Sequence, residues 1–448
     1  MRVLMQIRTD RADRIGGDTL HAESTAAELR KLGVEVDVTG EEIPDPSAYE
    51  LVHLYNTAHV APTLRRALRA HGCGVPVVIE TIYWDTSYAQ APVVARHQAG
   101  LRRVALGLAE LAICNSRLEA EALEADFPDV VPRLRVVPVG VDGRTGLEGG
   151  DGDAFCKLHG LEPGFVLCAG RKEQRKNQLR LIQACGRLGL ALVLVGGEHP
   201  EHEEYVAECR AAAASAGGEV AFLPHLEGAE LAGAYAAAHV HAQPSIRETV
   251  GLSSFEAALA GCNVVTTRNS GIFEYLGADA WYCDPWSEES IAEAVADAAA
   301  APAPDGEVAA RLRAEFSWRR TAAKALVVYE EAMREHEQRD GEPRLPAAQY
   351  AEHLEELVQL QLEAIAFRDE SLEGFQAHTA YLDAQVAQRE AELGEARARL
   401  ETTRAELEQE RAASAAARAE LERMQATRLF RWSAPLRAVY ARLRNVAG

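Results

Sequence analysis

The chain has 448 residues, 48% of them hydrophobic, and a formal net charge of −21 at pH 7. This length exceeds one ordinary domain and predicts two sizeable hydrophobic cores with an added segment. The acidic balance argues against a nucleic-acid-binding protein, whose binding face would be basic. No apolar run approaches the roughly 20 residues that a membrane span needs.

Eight cysteines are scattered singly, without a Cys-x-x-Cys pair, in a chain too large to need disulfides for stability. We expect them to be buried thiols in a reducing compartment. The N-terminal MRVLMQIRTD is too short an apolar run for a secretory signal and indicates a first strand. These features predict a cytoplasmic protein.

Residues 1–145 alternate short apolar runs with intervals of helix length. VLMQI precedes the glycine pair Gly16-Gly17 and a helical stretch, and later runs are LVHLY, VPVVIET, LAICNS and LRVVPVGVD. Strands separated by helices predict βα units and a parallel sheet. The first domain is therefore predicted to be Rossmann-like and doubly wound.

After the glycine- and acid-rich stretch GRTGLEGGDGD, residues 155–315 show the same alternation, with FVLCAG, LALVLVGG, EVAFLP, HVHAQPS, NVVTT and AWYCDP as strand-like runs. A second sheet of the same class is predicted, followed by a closing helix over residues 316–340. Two such sheets facing across a cleft would direct the carboxyl ends of their strands to one shared crevice.

Residues 345–426 are rich in Ala, Glu, Arg and Leu. One heptad position is occupied by leucine at four places, Leu393, Leu400, Leu407 and Leu421, but its partner positions are mostly Ala, Arg or Glu. The pattern is compatible with an oligomerising coiled coil or with a long solvated helix. A homo-oligomer is the partner that the first alternative implies.

The final segment, residues 427–448, reverses the charge. It interleaves five arginines with an apolar set at three- and four-residue spacing: Leu429, Trp432, Leu436, Tyr440 and Leu443. Such an amphipathic helix can lie in the headgroup region of an anionic membrane. A helix docked on this protein or on a partner chain, and a disordered tail, are the alternatives.

The stretch RETVGLSSFEAALA places a predicted helix start at Gly251, with Glu248 before it and Glu256 about one turn inside it. The first amides of the helix, at Gly251, Leu252 and Ser253, would favour an anion such as a phosphate. Carboxylates beside a phosphate site are suited to accept hydrogen bonds from sugar hydroxyls. The two glutamates would therefore contact different parts of one ligand.

The run GRKEQRKNQ follows the first strand of the second domain, and its Arg171 and Lys176 could neutralise two adjacent phosphates. A solvated basic turn is the alternative. Gly16-Gly17 would let backbone approach a ligand, although simple turn geometry explains it equally well and no G-x-G-x-x-G pattern is present. Asp151-Gly-Asp153 lies in the linker, so we expect neither a metal nor a cofactor.

Several of these motifs together resemble a known family. They are Gly170-Arg171 with Lys176-Asn177, PS-x2-E-x-x-GL at 244–252, EAALAGCNVV and NSGIFEYLG, with CNS, VVPVGVD and FSW elsewhere. In this order they resemble the retaining glycosyltransferases of family 4, over roughly residues 1–335. The resemblance implies the GT-B fold, with a long helical segment added at the C-terminus.

The resemblance also implies roles. Arg171 and Lys176 would hold the diphosphate of a nucleoside diphosphate sugar, and Glu248 would lie beside the transferred sugar. Donor binding would further involve Glu256 at the ribose, the amides of Gly251 and Leu252, and Gly16 and Gly17 from the first domain. Many members carry a histidine near the sugar, whereas ETIYWDTS offers Tyr83 or Trp84 there.

The resemblance thus predicts metal-free transfer of a hexose, with retention, to a glycan or lipid-linked acceptor in cell-surface polysaccharide biosynthesis. The protein would be cytoplasmic or peripheral at the inner face of the cytoplasmic membrane. One alternative is another GT-B enzyme, such as a sugar-nucleotide epimerase. The other is a non-catalytic coiled-coil scaffold of a glycan assembly complex.

Overall fold

A computed structural model describes residues 1–8, 17–40, 45–55, 60–84, 92–141 and 149–339, and the single helical positions 416, 419 and 423. The predictions for 345–426 and 427–448 otherwise lie outside the described residues. The chain divides into two compact units, Met1–Thr86 with Ala105–Arg334, and Ser87–Val104 with Glu335–Gly448. In the second unit, residues 92–104 and 335–338 are helical. Both sheets and the candidate site belong to the first unit.

Six parallel strands form the first sheet in the order β2-β1-β3-β4-β5-β6. They are β1 (Arg2–Gln6), β2 (Glu35–Thr39), β3 (Leu51–Tyr55), β4 (Val77–Glu80), β5 (Leu111–Cys114) and β6 (Leu134–Val136). Every residue of β3, β4 and β5 is buried, as expected for central parallel strands covered on both faces. The strand order reverses between β1 and β3.

Six more parallel strands form the second sheet in the order β12-β11-β10-β7-β8-β9. They are β7 (Val166–Ala169), β8 (Leu192–Val195), β9 (Val220–Leu223), β10 (Val240–Ala242), β11 (Asn263–Thr267) and β12 (Trp281–Cys283). Here the order reverses between β7 and β10, which pair with His241 opposite Leu167. The prediction of two Rossmann-like parallel sheets is confirmed.

The described residues contain thirteen α-helices. They are α1 (Gly17–Lys31), α2 (Val60–Gly72), α3 (Pro92–Leu108), α4 (Arg117–Asp126), α5 (Gly152–His159), α6 (Gln178–Leu188), α7 (Glu203–Ser215), α8 (Gly228–Ala237), α9 (Leu252–Leu259), α10 (Phe273–Leu276), α11 (Glu288–Ala300), α12 (Glu307–Glu315) and α13 (Trp318–Gln338). None of them is both long and apolar enough to cross a bilayer.

The last of these helices, α13, returns from the second domain to the first sheet. Trp318 at its start belongs to the second domain's core, whereas Ala322 and Tyr329 belong to the core that contains Val3 and Leu51. The Tyr329 hydroxyl lies 2.7 Å from Nδ1 of the buried His53 on β3. The helix therefore shares its apolar face between both cores.

The loops that follow β5 and β11 join the two domains. The Glu274 carboxylate accepts hydrogen bonds from the amides of Arg117 and Leu118 at the start of α4, each at 2.7 Å. The Tyr275 hydroxyl donates to the Asn115 carbonyl at 2.7 Å and accepts from the Val139 amide at 3.0 Å. Because both loops leave carboxyl ends of strands, those edges of the two sheets face one another.

The eight cysteines are free thiols, and seven of them are buried. The expectation of burial is wrong for Cys73, which is exposed. This residue follows directly after the end of α2, at Gly72, so it has passed the buried face of that helix.

Candidate functional site

The predicted site residues of the second domain lie where the strand order of its sheet reverses. Gly170 and Arg171 follow β7, and residues 243–251 follow β10, its neighbour. A crevice opens at such a switch point because the connections on its two sides run in opposite directions. The two motifs, which are about 70 residues apart in sequence, are thereby adjacent at one edge of the sheet.

Helix α9 supplies the anion-binding element of this crevice. Its N-cap, Gly251, has φ +84° and ψ +57°, a left-handed conformation that favours glycine. A Cβ at Gly251 would lie 3.5 Å from Cγ of Glu248. The first amides of an α-helix have no carbonyl partner within the helix, so those of Leu252 and Ser253 are positioned to bind an anion beside Glu248.

The first domain approaches this helix start through Gly17, the first residue of α1. A Cβ at Gly17 would lie 2.9 Å from Cδ1 of Leu252, which is closer than real Cβ contacts. Glycine at this position therefore permits the close approach of α1 to α9. Gly16, the other member of the predicted pair, lies outside the described residues.

Glu248 is the centre of the charge arrangement. Its Oε2 lies 2.5 Å from Nζ of Lys176 and 3.0 Å from Nη1 of Arg175. Its backbone pairs with Ser270 in a parallel bridge, which fixes the residue beside the loop after β11. Burial raises the pKa of the carboxyl, but the charges of Arg175 and Lys176 outweigh burial and lower the pKa to about 2. Glu248 is therefore ionised.

Arg175 is a site residue that the sequence analysis missed. Its side chain is only 15% exposed, with Nη2 2.5 Å from Oε1 of Glu173 and Nη1 3.0 Å from Glu248. Burial lowers the pKa of the guanidinium, and these two carboxylates raise it above its ordinary value. The available signal was a third cation in GRKEQRKNQ, directly before Lys176.

Arg171 lies differently from its predicted partner Lys176. The Arg171 side chain is 60% exposed, and its Nη2 is 3.4 Å from Oε2 of Glu173. Its backbone carbonyl accepts a hydrogen bond from Nε2 of the Gln178 side chain at 2.8 Å, which holds the backbone near the start of α6. The structure thus links Arg171 to Glu248 through Glu173 and Arg175 rather than by direct contact.

Glu256 lies in the second turn of α9. Its Oε2 accepts a hydrogen bond from the hydroxyl of Tyr235 at 2.8 Å. Tyr235 belongs to α8 and is buried, so its hydroxyl holds the Glu256 carboxylate in a fixed position. Glu248 and Glu256 therefore have separate partners within the protein.

A chain of hydrogen bonds connects Ser253 with Glu248, and the sequence analysis did not predict it. The Ser253 hydroxyl donates to Oε1 of Gln243 at 2.8 Å. Nε2 of Gln243 donates to the Ser245 hydroxyl at 3.3 Å, and that hydroxyl donates to Glu248 at 3.4 Å. The start of α9 and Glu248 are thereby connected through buried polar groups.

The structure also distinguishes the two first-domain aromatic residues. Tyr83 is buried and its hydroxyl donates to Asp126 on α4 at 2.5 Å. The ring of Trp84 instead lies beneath the guanidinium of Arg175, 5.1 Å from ring centroid to Cζ. Trp84 is thus the residue of this segment that faces the charged site.

Asp151-Gly-Asp153, which we did not expect to bind a metal, has a structural role. Asp151 is the N-cap of α5, where its Oδ1 accepts from the Ala154 amide at 2.9 Å. Within the described ranges, no group of three or more His, Cys, Asp or Glu side chains could hold a metal ion. The charges that converge in the crevice come from Arg175, Lys176 and Glu248.

Chemically, the crevice combines cations and free helix amides with two carboxylates. The cations and amides can stabilise negative charge on a diphosphate. The carboxylates can accept hydrogen bonds from hydroxyl groups on either side of it. A ligand with hydroxyl-bearing groups at both ends of a diphosphate fits this order of groups.

Comparison with known proteins bears on the same residues. Residues 155–314 match the family Glycosyl transferases group 1. A D-inositol 3-phosphate glycosyltransferase from Pseudarthrobacter chlorophenolicus is 30% identical over 263 residues, which cover 55% of this chain and 61% of that protein. A GDP-mannose-dependent alpha-(1-6)-phosphatidylinositol dimannoside mannosyltransferase from Mycobacterium tuberculosis is 37% identical over 97 residues, 21% of this chain and 26% of the relative. The chain spans about three fifths of the length of the D-inositol 3-phosphate glycosyltransferases from Pseudarthrobacter chlorophenolicus and Paenarthrobacter aurescens.

Solved structures share the two-sheet architecture. Sucrose-phosphate synthase from Thermosynechococcus elongatus superposes with a TM-score of 0.58 at 18% identity, covering 74% of this chain and 98% of that one. Anabaena HepE in complex with UDP and glucose gives a TM-score of 0.57 at 18% identity, with coverages of 74% and 99%. The chain therefore has the GT-B fold, and residues 155–314 of its second domain, which carries the candidate site, match the glycosyl transferases group 1 family.

Proposed function

We propose that this protein is a retaining glycosyltransferase that moves a hexose from a nucleoside diphosphate sugar to a hydroxyl of a glycan or lipid-linked acceptor, in cell-surface polysaccharide biosynthesis. The observation that carries the proposal is Glu248, ionised beside Lys176 and Arg175 and next to the free amides of α9. Diphosphate and sugar groups are adjacent in such a donor, as these residues are in the crevice.

In the proposed reaction, the acceptor oxygen forms a bond to the anomeric carbon while the bond from that carbon to the diphosphate oxygen breaks. The electron pair of the broken bond stays on the diphosphate, and the acceptor proton moves to a phosphate oxygen. Lys176, Arg171 and the α9 amides would stabilise the growing negative charge. The reaction as proposed uses no metal, since side-chain cations neutralise the diphosphate.

Retention rests on the family resemblance, and we assign no protein nucleophile. Glu248 would accept hydrogen bonds from hydroxyls of the transferred sugar, whose ring gains positive charge as the bond breaks. The negative charge of its carboxylate would also stabilise the positive charge that develops on the sugar ring. Glu256, supported by Tyr235, would bind the ribose hydroxyls of the nucleotide.

The first test is binding. Isothermal titration of the full chain with UDP, GDP, ADP, dTDP and CMP should give heat of binding for one base. Glu256→Ala should raise the Kd of that nucleotide by about tenfold or more, because two ribose hydrogen bonds to a charged group are lost. A matched control is Glu289→Ala, whose carboxylate pairs with Arg187 on the surface. No binding of any nucleotide to a folded sample would contradict the proposal.

The second test is turnover. The sugar conjugates of the bound nucleotide should be offered with acceptors that include an inositol phosphate, the acceptor class named for relatives of this chain. NMR of the product should show the same anomeric configuration as the donor. Product formed without acceptor, as an altered nucleotide sugar, would instead support the epimerase alternative. Binding without any conversion would favour the scaffold.

The proposal includes a cytoplasmic protein that associates with the inner membrane surface through residues 427–448 and self-associates through residues 345–426. Both parts rest on sequence patterns. Flotation of the full chain with vesicles that contain anionic lipid should bring the protein to the lipid fraction, and Trp432→Glu should abolish this. Unchanged flotation of that variant would contradict the membrane role.

A further inference from the structure

The first-domain segment that ends in Trp84 has a strained backbone. Ile82, two residues after β4, has φ +43°, a left-handed conformation. For a β-branched residue this conformation is a genuine outlier, and such residues concentrate at functional sites. The segment lies at the carboxyl end of the first sheet, the edge that faces the second domain.

A buried carboxylate holds this segment in place. Glu119 on α4, which is 3% exposed, accepts hydrogen bonds from the hydroxyl of Thr81 and, at 2.6 Å, from the amide of Tyr83. It also accepts from the amide of Asn115 at 2.7 Å, so it joins the ends of β4 and β5. Because the residues on both sides of Ile82 are fixed, the surrounding structure can sustain the strain.

The backbone conformation at Ile82 sets the directions of the Tyr83 and Trp84 side chains. Tyr83 turns into the first domain, towards Asp126, and Trp84 turns out to Arg175 of the second domain. The guanidinium nitrogens of Arg175 contact the carboxylates of Glu173 and Glu248, and its Cζ lies over the indole ring of Trp84 at 5.1 Å from the ring centroid. Indole is the best aromatic partner for a cation.

Glu248 has two cationic partners, and a diphosphate would affect them differently. Lys176 is a compact ammonium on a flexible stem, which can turn from the carboxylate to a phosphate. Arg175 is planar and held on three sides, so it would remain with Glu248. Once Lys176 contacts phosphate, Arg175 is the remaining cationic partner that orients the carboxylate.

We propose that Trp84 is a positioning residue for sugar transfer, acting through Arg175 on Glu248, so that the first domain completes the support of a second-domain carboxylate. The inference rests on the proposed function. It separates two properties of the site. Nucleoside diphosphate binding needs the second domain's cations and amides, whereas transfer also needs the Trp84 ring.

The test compares Trp84→Ala and Trp84→Phe with wild type in the full chain. The nucleoside diphosphate found in the binding panel should keep its Kd within about twofold in both variants. We expect kcat with the matching donor to fall by between about twofold and thirtyfold in Trp84→Ala, the range of a partly desolvated cation–π contact. Trp84→Phe, which keeps a weaker aromatic face, should lie between, and it remains informative if the alanine variant unfolds.

Trp286→Ala is the matched control. The guanidinium of Arg180 lies over the Trp286 ring at 5.4 Å, so the control removes the same residue type and the same kind of contact. It should leave kcat unchanged. An equal loss of kcat in this variant would overturn the specific role of Trp84, as would a Trp84→Ala variant with unchanged kcat or with a weakened Kd as its main defect.

A double-mutant cycle identifies Arg175 as the intermediary. Arg175→Lys keeps the charge but cannot bond both carboxylates and stack at once. If Trp84 acts through Arg175, then Trp84→Ala should reduce kcat less in the Arg175→Lys background than in wild type. Independent, multiplicative losses would overturn the inference. A wild-type chain that binds nucleotide but transfers no sugar would overturn the proposed function, and the inference with it.

Discussion

Replacement of Glu248 by glutamine should strengthen the binding of a nucleoside diphosphate while it abolishes most transfer. In the structure Lys176 donates to Glu248 at 2.5 Å, so a diphosphate must compete with this carboxylate for the ammonium. Glutamine has nearly the same shape but carries no charge. The variant therefore frees Lys176 and removes a negative group from beside the diphosphate.

The size of the effect follows from the charge interactions of Glu248. Its pKa is about 2, against an ordinary value of 4.5. At about 1.36 kcal/mol per pK unit, this difference corresponds to about 3 kcal/mol of net stabilisation by the surrounding charges, after the opposing effect of burial. Arg175 is the larger of the two charge effects, so Lys176 contributes at most about half, roughly 1 to 2 kcal/mol, which is on the order of tenfold in a dissociation constant. We expect the Kd of the diphosphate to fall by about tenfold.

Isothermal titration at two salt concentrations is the suitable assay, because the gain is electrostatic and should shrink as salt rises. Thermal shifts alone would mislead, since the loss of a buried ion pair also destabilises the protein without ligand. Glu289→Gln changes the net charge by the same amount at a carboxylate that pairs with Arg187, and it should leave the Kd unchanged. Equal or weaker binding in a folded Glu248→Gln variant would refute the competition between carboxylate and diphosphate.

Three further predictions concern stability. His241 is fully buried, with neither ring nitrogen bonded to any described residue, so His241→Leu should raise the free energy of unfolding by about 1–2 kcal/mol at pH 7. Burial lowers the pKa of His241 to about 3, so the wild-type protein loses stability as the pH falls below 6.5, where this histidine binds a proton only in the unfolded state. In urea titrations, the stability difference between His241→Leu and wild type should therefore be about 2 kcal/mol larger at pH 5 than at pH 7. Tyr329→Phe removes the hydroxyl that bonds to His53 and should cost about 1–2 kcal/mol, with faster hydrogen exchange in α13; unchanged exchange would contradict this. Glu274→Ala removes the acceptor of the first two amides of α4, whose N-cap is Ser116, and should lower the free energy of unfolding in urea by about 1 kcal/mol. The neighbouring Phe273→Leu should not alter hydrogen exchange at the amides of Arg117 and Leu118.

The fold could be predicted from the sequence because its signals are local. A parallel strand buried on both faces needs a continuous apolar run, and the connection to the next strand needs a helix. Each run that was assigned as a strand, from VLMQI to AWYCDP, contains or overlaps a strand of the structure. The position of Gly251 before α9 could also be predicted, since the turn that starts the helix requires a residue in the left-handed conformation at that place.

The predicted site residues differ in their surroundings. Lys176 contacts Glu248, and Gly17 lies close to the Leu252 side chain. Arg171 does not reach Glu248 and is mostly exposed. Nothing in the run GRKEQRKNQ distinguishes these cations by burial, because burial depends on residues far away in sequence, such as Glu248 and Trp84.

Arg175 illustrates why the remaining part of the site could not be predicted. Adjacent side chains usually point apart, so a sequence analysis that places Lys176 in the site assigns Arg175 to solvent. Residues Gln174–Lys176 instead form a single 3-10 turn, which ends at Asn177 with φ +62°. The Asn177 side chain donates to the carbonyls of Pro244 and Pro285, at 3.0 and 2.7 Å. The loops after β10 and β12 thus decide the direction of the basic turn.

The same reasoning applies with more force to Trp84. Its neighbour on the ring face, Arg175, is 91 positions away in the chain and in the other domain. Periodicity predicts which residues share a face of one element, but it contains no information about which loops of two separate sheets meet. That pairing depends on the packing of the two domains, including the bonds from Glu274 and Tyr275 to the end of β5 and the start of α4. A residue that completes a site across two domains is therefore visible only once the second sheet is in position, and its role must be tested by coupling between variants in both domains.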